Sequence, residues 1–359
     1  MQFVANKISY VKYNIIYDLM WDLTTMKLSV ERLRRMAVGL LEKRGASPRN
    51  AWLQADLLIE AELRGLSSHG LQRLPLLLGR IEKGLANPTA TGTACWTRQA
   101  FLSVDGERGL GPVVMMDAMR TMQEITASSG LAIAAIRNSN HIGMLAYYAE
   151  AAAKEGLIGV ILSTSEALVH PYGGTEAMLG TNPIAIGIPA GDDPFVLDLA
   201  TSIVSMGKIN NHALRNVPIP PGWAVDAGGR PTTDARAAGN GAIAPFGDAK
   251  GYGLGLAVEL LVAMLAGSNF APEVRGTLDD TQPATKGDIV ILIDPDAGAG
   301  DASGLVAYLD RLRNSRAANP GRPVAVPGDG SRARRAGILA EGIELPQPLL
   351  DTLLALEAA

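Results

Sequence analysis

The sequence predicts an α/β fold, because strand-like and helix-like segments alternate along the middle of the chain. Short apolar runs are separated by longer segments whose apolar positions recur at helical spacing, and this alternation is typical of a sheet covered by helices. The chain has 359 residues, 47% of them hydrophobic and 19% charged, which is the composition of an ordinary globular protein. One large domain or two smaller ones fit that length.

Three helices are predicted before the alternating region. The first begins after Ser29, where apolar residues take up a helical period. The second follows Ser47 and Pro48, a capping serine and a proline at the first helical position. The third is expected over 71–83. We expect residues 1–25 to be an appended extension that does not belong to the fold.

The alternating region supplies the central strands and helices in order. Strand-like apolar runs occupy 101–104, 131–137 and 157–164. Amphipathic helices are predicted between them, over 112–128 and 144–155. Such a strand and helix order favours a sheet with helices packed on its faces.

Further strands and helices are predicted at 183–188, 195–199, 253–267, 288–293 and 303–316. The helix over 253–267 is so apolar that we expect it to be buried, and Glu259 interrupts the apolar run, which argues against a membrane span. The stretch 218–244 is rich in Pro, Gly, Asp and Thr, so it is expected to be a long and functional loop.

Charge and cysteine content exclude several classes of protein. Lysine and arginine total 32 against 36 acidic residues, a formal net charge of −4, whereas nucleic-acid binding needs a clustered basic surface. We therefore expect neither a nucleic-acid nor a membrane partner. The single cysteine, Cys95, excludes an internal disulfide and a thiolate metal cluster, so a cytoplasmic location is expected. The first 25 residues lack the features of a secretory signal.

Two of the four histidines stand in turn-like segments at element ends, His69 within 68–73 and His141 within 139–143. An imidazole titrates near neutral pH, so both are candidates for proton transfer. The alternative is structural, because turns and helix ends recruit Ser, Asn and His for local hydrogen bonds, and taken singly that role is the commoner one. Arg73 shares the first segment and supplies a cation.

Three common catalytic signatures are absent from the sequence. There is no Gly-x-Gly-x-x-Gly opening a helix after a strand, and the trio Gly251, Gly253 and Gly255 has the wrong spacing for the usual dinucleotide fingerprint. There is also no Gly-x-Ser-x-Gly elbow and no His-Glu-x-x-His helix. A serine hydrolase is therefore disfavoured, and no metal site is expected.

Six ordered motifs carry a resemblance to a known family. They are Ser68-His69-Gly70-x-x-Arg73, Asn140-His141-x-Gly143, Pro171-Tyr172-Gly173-Gly174, Leu179-Gly180-Thr181-Asn182-Pro183, Leu197-Asp198-Leu199-Ala200-Thr201 and Lys250-Gly251-Tyr252-Gly253. With them, the chain from Met26 onward resembles the malate/L-lactate dehydrogenase-like family of NAD(P)-dependent oxidoreductases. Enzymes acting on ureidoglycolate, sulfolactate and 2,3-diketogulonate and the piperideine-2-carboxylate reductases are among its members. The segment 245–249 before Lys250 departs from the shorter, glycine-rich approach of many relatives.

The resemblance implies an atypical, non-Rossmann sheet domain that binds the nicotinamide cofactor, together with a mainly helical part that helps to form a homodimer. We expect the helical part at 26–110 plus about 331–359, and the cofactor-binding α/β domain at 111–330. By motif matching, the cofactor-binding residues would be Ser165, Asp198, Leu199, Ala200, Lys250, Gly328, Asp329 and Gly330. Several of these also have an ordinary structural interpretation: Asp198 and Lys250 as surface charges, Ser165 as a turn cap, and 327–330 as a turn before a helix.

The implied reaction moves a hydride between NAD or NADP, with NAD preferred, and a small 2-hydroxy or 2-oxo acid. Arg73 suits the substrate carboxylate, because a planar guanidinium can hold it in two parallel hydrogen bonds. His69 and His141 are the candidates for proton transfer, with His141 preferred. Ser68, Asn140 and Thr181 complete the expected substrate-binding set.

Three alternatives stay open at the level of the sequence. The first is a reductase of cyclic imino acids built on the same machinery. The second is a binding protein that keeps the fold with a vestigial cofactor cleft, and the third is a lyase or hydratase that uses two histidines without nicotinamide. Neither the substrate side chain nor the histidine that transfers the proton follows from the sequence.

Overall fold

A computed structural model describes residues 25–300, 302–319 and 321–358. The expected extension over 1–25 lies outside the described residues, apart from Thr25. Eleven helices are described in this part of the chain: α1 Val30–Glu42, α2 Pro48–Leu63, α3 Leu74–Glu82, α4 Gly111–Ser129, α5 Ala146–Lys154, α6 Met206–Leu214, α7 Ala235–Gly239, α8 Ala249–Ala266, α9 Ala302–Arg313, α10 Asp329–Glu341 and α11 Gln347–Ala358.

Twelve strands are described in the same ranges. They are β1 Thr25–Leu28, β2 Thr93–Arg98, β3 Phe101–Asp105, β4 Leu131–Arg137, β5 Ile158–Ser163, β6 Ile184–Ile188, β7 Phe195–Leu199, β8 Ala224–Val225, β9 Pro231–Thr232, β10 Ala242–Ile243, β11 Gly287–Ile293 and β12 Ile343–Pro346. Seven of them form the main sheet in the order β2-β3-β4-β11-β5-β6-β7.

The main sheet is mixed, and this confirms the α/β class without a doubly wound parallel arrangement. Only the β3–β4 pair is parallel, while its other five neighbouring pairs are antiparallel. Strand β11 enters the centre of the sheet from far along the chain, between β4 and β5. An open parallel sheet with a glycine-rich crossover is therefore absent from the described residues, in agreement with the missing fingerprint.

Each face of the sheet is covered by different helices. Helices α4 and α5 pack on one face through a large apolar cluster that includes Met122, Tyr148 and Val290. Helix α8 covers the other face through Val258 and Val262. Alternate residues of the strands supply the two sides, as the period of two in a strand requires.

A helical layer stands beside the sheet and is closed by a two-stranded ribbon. Helix α1 begins where the Ser29 side chain accepts a hydrogen bond from the backbone amide of Arg32, and α2 begins at Ser47 and Pro48 in the predicted way. Strand β1, which the sequence did not predict, pairs with β12, and Thr25 from the end of the expected extension is part of it. The ribbon joins α1 to the C-terminal helix α11.

Several boundaries differ from those expected from the sequence. The main sheet already begins at Thr93, ahead of the expected domain boundary near residue 110. The stretch 218–244 is not one long loop, because it folds into a three-stranded sheet, β10-β8-β9, with helix α7. Its Gly and Pro content reflects tight turns between very short strands.

Helix α8 is buried on one face only, so the expectation of a buried helix is half correct. Its 18 residues have a mean hydropathy of 1.5, and 39% of them are buried, so by length and composition alone it could cross a membrane. The Glu259 carboxylate is buried in the protein, where it accepts hydrogen bonds from the Asn182 side chain and the backbone amide of Ala271. The outward face of helix α8 exposes Leu260, Leu261 and Met264.

The contact between α5 and β6 predicts a stability effect. A Cβ atom added at Gly187 would lie 1.9 Å from the carbonyl oxygen of Ala149, which is backbone and cannot rotate away. We expect Gly187→Ala to lower the free energy of unfolding by about 1–3 kcal/mol, because overpacking displaces the helix. Urea unfolding of both proteins measures this loss.

The matched control is Gly39→Ala in α1, where nothing lies within 4 Å of the added Cβ. Alanine is the better helix former, so this variant should gain about 0.5–1 kcal/mol. Equal stability of the two variants would contradict the close packing of α5 on β6.

Candidate active site

The segment that carries His69 and Arg73 consists of two consecutive 3-10 turns, Ser67–His69 and Leu71–Arg73, which precede α3. The expected helix over 71–83 therefore becomes a 3-10 turn followed by an α-helix from Leu74. The Arg73 guanidinium donates from Nε to the carbonyl oxygen of Ser68 at 2.9 Å and from Nη1 to that of Thr277 at 3.2 Å. These bonds hold its planar group in place.

Glu62 on α2, which was not predicted from the sequence, stabilises these turns by a hydrogen bond to their backbone. It is 5% exposed, and its Oε1 accepts a hydrogen bond from the backbone amide of Leu71 at 2.7 Å. Burial raises the pKa of this carboxyl to about 7. Its position on α2 resembled an ordinary helix surface, and only the packing shows that it faces the turn.

Asn140 fixes the backbone that leads to His141. Its Nδ2 donates to the carbonyl oxygens of Arg108 at 2.6 Å and Gly109 at 3.1 Å. Its Oδ1 accepts a hydrogen bond from Nε of Arg80 at 3.0 Å. The amide is therefore engaged with protein groups on all sides, which makes Asn140 a positioning residue in this structure.

Gly143 determines how the His141 ring is held. Its backbone amide donates to Nδ1 of His141 at 3.1 Å. Because Nδ1 accepts a hydrogen bond, the neutral ring carries its proton on Nε2. Gly143 has a φ of 71°, and a Cβ there would lie 2.3 Å from the Leu57 side chain, so the motif requires glycine.

The two candidate histidines meet in space although 72 positions separate them in the chain. Their rings are stacked, with centroids 5.6 Å apart and planes inclined by 27°. Burial and the positive charge of Arg73 lower the pKa of His69 to about 4. The same two causes hold the pKa of His141 well below its usual range. Both imidazoles are therefore neutral at pH 7 in the free protein.

Lys286 and Asp288 form a buried ion pair that adds to the charge around His141. Lys286 is 2% exposed and Asp288 is fully buried, and the Ser163 hydroxyl donates to Oδ1 of Asp288 at 2.7 Å. The Lys286 charge contributes to lowering the pKa of His141. Neither residue stood out in the sequence, because both lie at the start of an apolar strand.

A small cavity of about 30 Å³ gathers the candidate substrate-binding groups. It is lined by residues of α2, the 3-10 turns, α3 and the loops after β4 and before β11: Gln54, Leu57, Leu58, His69, Arg73, Leu76, Leu77, Arg80, Asn140, His141, Gly143, Gly276 and Thr277. The structure thus joins His69, Arg73, Asn140 and His141, and adds Gln54 and Arg80, which the sequence analysis missed.

A larger cleft of about 610 Å³ meets this cavity at His69 and Gly143, which line both. Six residues expected at the substrate or the cofactor line the cleft, namely Thr181, Asp198, Leu199, Ala200, Gly328 and Gly330. A cleft of this size is ordinary for a small-molecule or cofactor site. A ligand bound along it would have one end beside the paired histidines.

Four other expected site residues lie outside the linings of the cavity and the cleft. Ser68 stands behind His69, with its Oγ 3.0 Å from Nδ1 of the ring. Ser165 stands behind Thr181 and accepts the Thr181 backbone amide at 3.0 Å. Asp329 forms ion pairs with two arginines. Lys250 is exposed in the first turn of α8.

Asp198 connects the wall of the cleft to the N-terminus of α5. Its Oδ2 accepts the backbone amide of Ala146 at 2.8 Å, which is favourable at the positive end of a helix. Asp198 is exposed to the cleft, and the protein atoms packed around its carboxylate reduce its hydration and so raise its pKa to about 6.

The cleft fits a nicotinamide dinucleotide in chemistry as well as in size. Helix α10 begins at its edge, and Gly328 and Gly330 at this helix N-terminus line the cleft, where backbone amides favour phosphate oxygens. Arg64, Arg332 and Arg334 add positive charge to the wall. Among the described residues, no group of three or more His, Cys, Asp or Glu side chains could hold a metal ion.

Comparison with known proteins gives one consistent family. The family model for malate/L-lactate dehydrogenase matches residues 28–354. A dehydrogenase structure from Sinorhizobium meliloti is 71% identical, with a TM-score of 0.91, and the match covers 93% of this chain and 98% of that one.

Two curated relatives carry specific names. Malate/(S)-sulfolactate dehydrogenase of Methanothermus fervidus is 35% identical over 91% of this chain and 96% of its own length. Delta(1)-pyrroline-2-carboxylate reductase 1 of Burkholderia ambifaria is 34% identical over 93% of this chain and 98% of its own length.

The low pKa of His69 predicts a pH dependence of stability. The unfolded imidazole has a pKa of about 6.5, so between that value and about 4 the unfolded chain binds more protons than the folded one. Stability is therefore lost as the pH falls through this window. We expect His69→Gln to reduce the slope of the unfolding free energy against pH between pH 6.5 and about 4, by up to the slope that one additional bound proton produces. Urea unfolding at pH 7, 6 and 5 measures this slope.

His212→Gln is the control for this experiment, because His212 lies outside the linings of the cavity and the cleft. If both variants follow the parent slope, the imidazole of His69 is not held neutral by its surroundings.

Proposed function

The chain belongs to the malate/L-lactate dehydrogenase family, and from this premise we propose that it interconverts a small 2-hydroxy acid and its 2-oxo acid with a nicotinamide cofactor. It is an NAD(P)-dependent oxidoreductase of the 2-hydroxy-acid type. The main support for this proposal is the place where the cavity meets the cleft, at His69 and Gly143. There a guanidinium and two imidazoles meet the end of a cleft suited to a dinucleotide.

Arg73 binds the substrate carboxylate in this proposal. Two of its donors are already used to hold the group against the carbonyl oxygens of Ser68 and Thr277, so its orientation is set before substrate arrives. The carboxylate also offsets the positive charge that lowers the pKa of both histidines. Substrate binding therefore raises the pKa values of the two imidazoles toward the range in which they can carry a proton.

His141 contacts the reacting oxygen through Nε2. Its Nδ1 accepts the backbone amide of Gly143, so the neutral ring donates a hydrogen bond to the substrate oxygen from Nε2. Transfer of that proton requires the cationic ring, in which Nδ1 also carries a proton and the hydrogen bond from Gly143 is broken. The alternative proton donor is His69. Its Nδ1 faces the Ser68 hydroxyl, which can donate or accept, so His69 keeps this partner in either protonation state.

The cofactor, when bound, supplies the hydride that the carbonyl carbon gains. The residues that would hold it are those of the cleft wall, with Gly328 and Gly330 for phosphate and Asp198, Leu199 and Ala200 beside it.

NAD is the preferred cofactor in this proposal. Arg64 is ion-paired with Glu60 and Glu150, and Arg332 is ion-paired with Asp329, so these two charges are already compensated. An additional ribose phosphate would have to compete with these carboxylates, or bind Arg334, whose Nε donates to the carbonyl oxygen of Arg64. The ratio of kcat/KM for NADH and NADPH measures the preference.

We also propose a homodimer, with the apolar outer face of α8 as its contact. Leu260, Leu261 and Met264 are exposed on α8, as is Phe270 shortly after it, and such a concentration of exposed large apolar side chains is typical of an interface. Light scattering should give twice the chain mass of 37.6 kDa, and Met264→Glu should shift it toward the monomer. A monomeric parent protein would contradict this assignment.

A cytoplasmic location without a nucleic-acid or membrane partner is the remaining part of the proposal. Cys95 is exposed and free, which suits a reducing compartment, and the net charge is −4. Cell fractionation measures the location. Recovery in the membrane fraction would assign the outer face of α8 to lipid instead of a second subunit.

The experiment that tests the function follows NADH and NADPH oxidation by absorbance with a panel of 2-oxo acids. Cyclic imino acids form a second arm, because a pyrroline-carboxylate reductase is among the relatives. Turnover with a 2-oxo acid is expected, and turnover with imino acids alone would replace the proposed substrate class. Nucleotide binding without any turnover would favour a vestigial cleft.

His141→Asn and His69→Asn belong in the same assay. Loss of a group that transfers a proton should lower kcat by about 10²–10⁴-fold. We expect the larger loss in His141→Asn, and a larger loss in His69→Asn would assign the proton transfer to His69.

Arg73→Lys should lower kcat/KM for the 2-oxo acid by about 10- to 100-fold, because lysine keeps the charge but cannot form two parallel bonds. The KM for the nicotinamide nucleotide should stay close to that of the parent protein. Arg44→Lys is the control, since Arg44 pairs with Glu82 at the surface. An unchanged kcat/KM in Arg73→Lys would remove Arg73 from the substrate site.

A further inference from the structure

Arg80 is a buried cation in the wall of the substrate cavity. It lies on α3, is 4% exposed, and lines the cavity together with Arg73 and His141. Its Nε donates to the Asn140 amide at 3.0 Å, and its Nη1 donates to the carbonyl oxygens of Asp279 at 2.6 Å and Gln282 at 3.1 Å. Its Nη2 is buried and has no hydrogen-bond partner among the described residues.

Within the part of the chain that the structure describes, no carboxylate bonds directly to the Arg80 guanidinium. Its three hydrogen bonds all go to neutral oxygen atoms. Three carboxylates lie near Arg80, and each has other hydrogen-bond partners. Asp279 accepts from the backbone amide and hydroxyl of Thr281, Asp280 accepts from Lys83 at 2.5 Å, and Glu166 accepts the backbone amides of Thr277 and Leu278. A buried cation with an unused donor is costly unless an anion completes its surroundings.

Arg80 and Arg73 lie on the same side of their helical segment. The two residues are seven positions apart, which in a helix is two turns along the same face, about 10 Å between backbone positions. Both side chains reach the same cavity. A short ligand with an anionic group at each end could therefore contact both guanidinium groups at once.

We propose that Arg80 is a specificity-determining residue that binds a second anionic group of the substrate, a carboxylate or a sulfonate one or two carbons beyond the 2-oxo acid. The inference rests on the proposed function and narrows its substrate class to short dianions. Arg73 holds the first carboxylate, and Nη2 of Arg80 receives the second anion. The cavity of about 30 Å³ is too small for such a dianion, and Nη2 is covered by protein atoms, so binding requires the cavity to widen beside Arg80.

The test compares substrates that differ in the second charge alone. Oxaloacetate and 3-sulfopyruvate are the two dianions, and 2-oxosuccinamate, the C4 amide of oxaloacetate, is the uncharged match. We expect the parent enzyme to prefer the dianions over the amide by about 10- to 100-fold in kcat/KM, the usual effect of a charge-assisted hydrogen bond. The better of the two dianions identifies the anionic group.

In Arg80→Gln this preference should fall to about threefold or less, while Arg80→Lys should retain part of it. Because Arg80 also positions Asn140, both rates can drop, so the ratio of dianion to amide is the readout and not the absolute rate. Lys83→Gln is the matched control, because Lys83 is a cation at the end of the same helix, α3, and does not line the cavity. It should keep the parent ratio.

Two outcomes overturn the inference. A parent enzyme that turns over the amide as well as the dianions has no site for the second charge, and a parallel loss of both in Arg80→Gln makes Arg80 a purely positioning residue.

If no 2-oxo acid is turned over, the proposed function fails, and equilibrium binding decides the inference separately. Calorimetric titration with oxaloacetate and 2-oxosuccinamate should still show a dianion preference that Arg80→Gln removes. Equal affinity of the parent protein for the two ligands would overturn it.

Discussion

The hydrogen bonds of the Asn140 side chain are the constraint on which the rest of the site depends. They tie the loop after β4 to the carbonyl oxygens of Arg108 and Gly109 and, through Arg80, to helix α3. The sheet and the helical layer are thereby held in one arrangement. His141 follows Asn140 directly, so the position of its ring relative to His69 is set by the packing of two separate layers.

Electrostatics then define what this arrangement can do. Arg73, Arg80 and Lys286 all contribute to keeping His141 neutral, and burial acts in the same direction. A site with this excess of positive charge favours anionic ligands, and each anion that binds makes protonation of the imidazoles easier. Substrate recognition and readiness for proton transfer are thus coupled through the same charges. The cleft that meets the cavity at His69 brings the second reactant to this point.

Local patterns in the sequence are sufficient for much of the secondary structure. Strands at 131–137 and 195–199 have the predicted bounds, and the capping serines at 29 and 47 begin α1 and α2 as expected. Predictions failed where a strand depends on its pairing partner and not on a pattern of its own. Strand β1 exists because β12 lies beside it, and the short strands within 218–244 are stabilised by one another and not by a strong individual pattern.

The sequence by itself determined the fold class, the family and the chemical types at the centre of the site, because His69, Arg73 and His141 stand in compact motifs with recognisable turns. Only the tertiary structure decided which other side chains join them. Gln54, Glu62, Arg80 and Lys286 lie on elements whose local pattern is that of core or surface. Their role depends on which buried face meets the cavity, and that is a property of long-range packing rather than of neighbours in the chain.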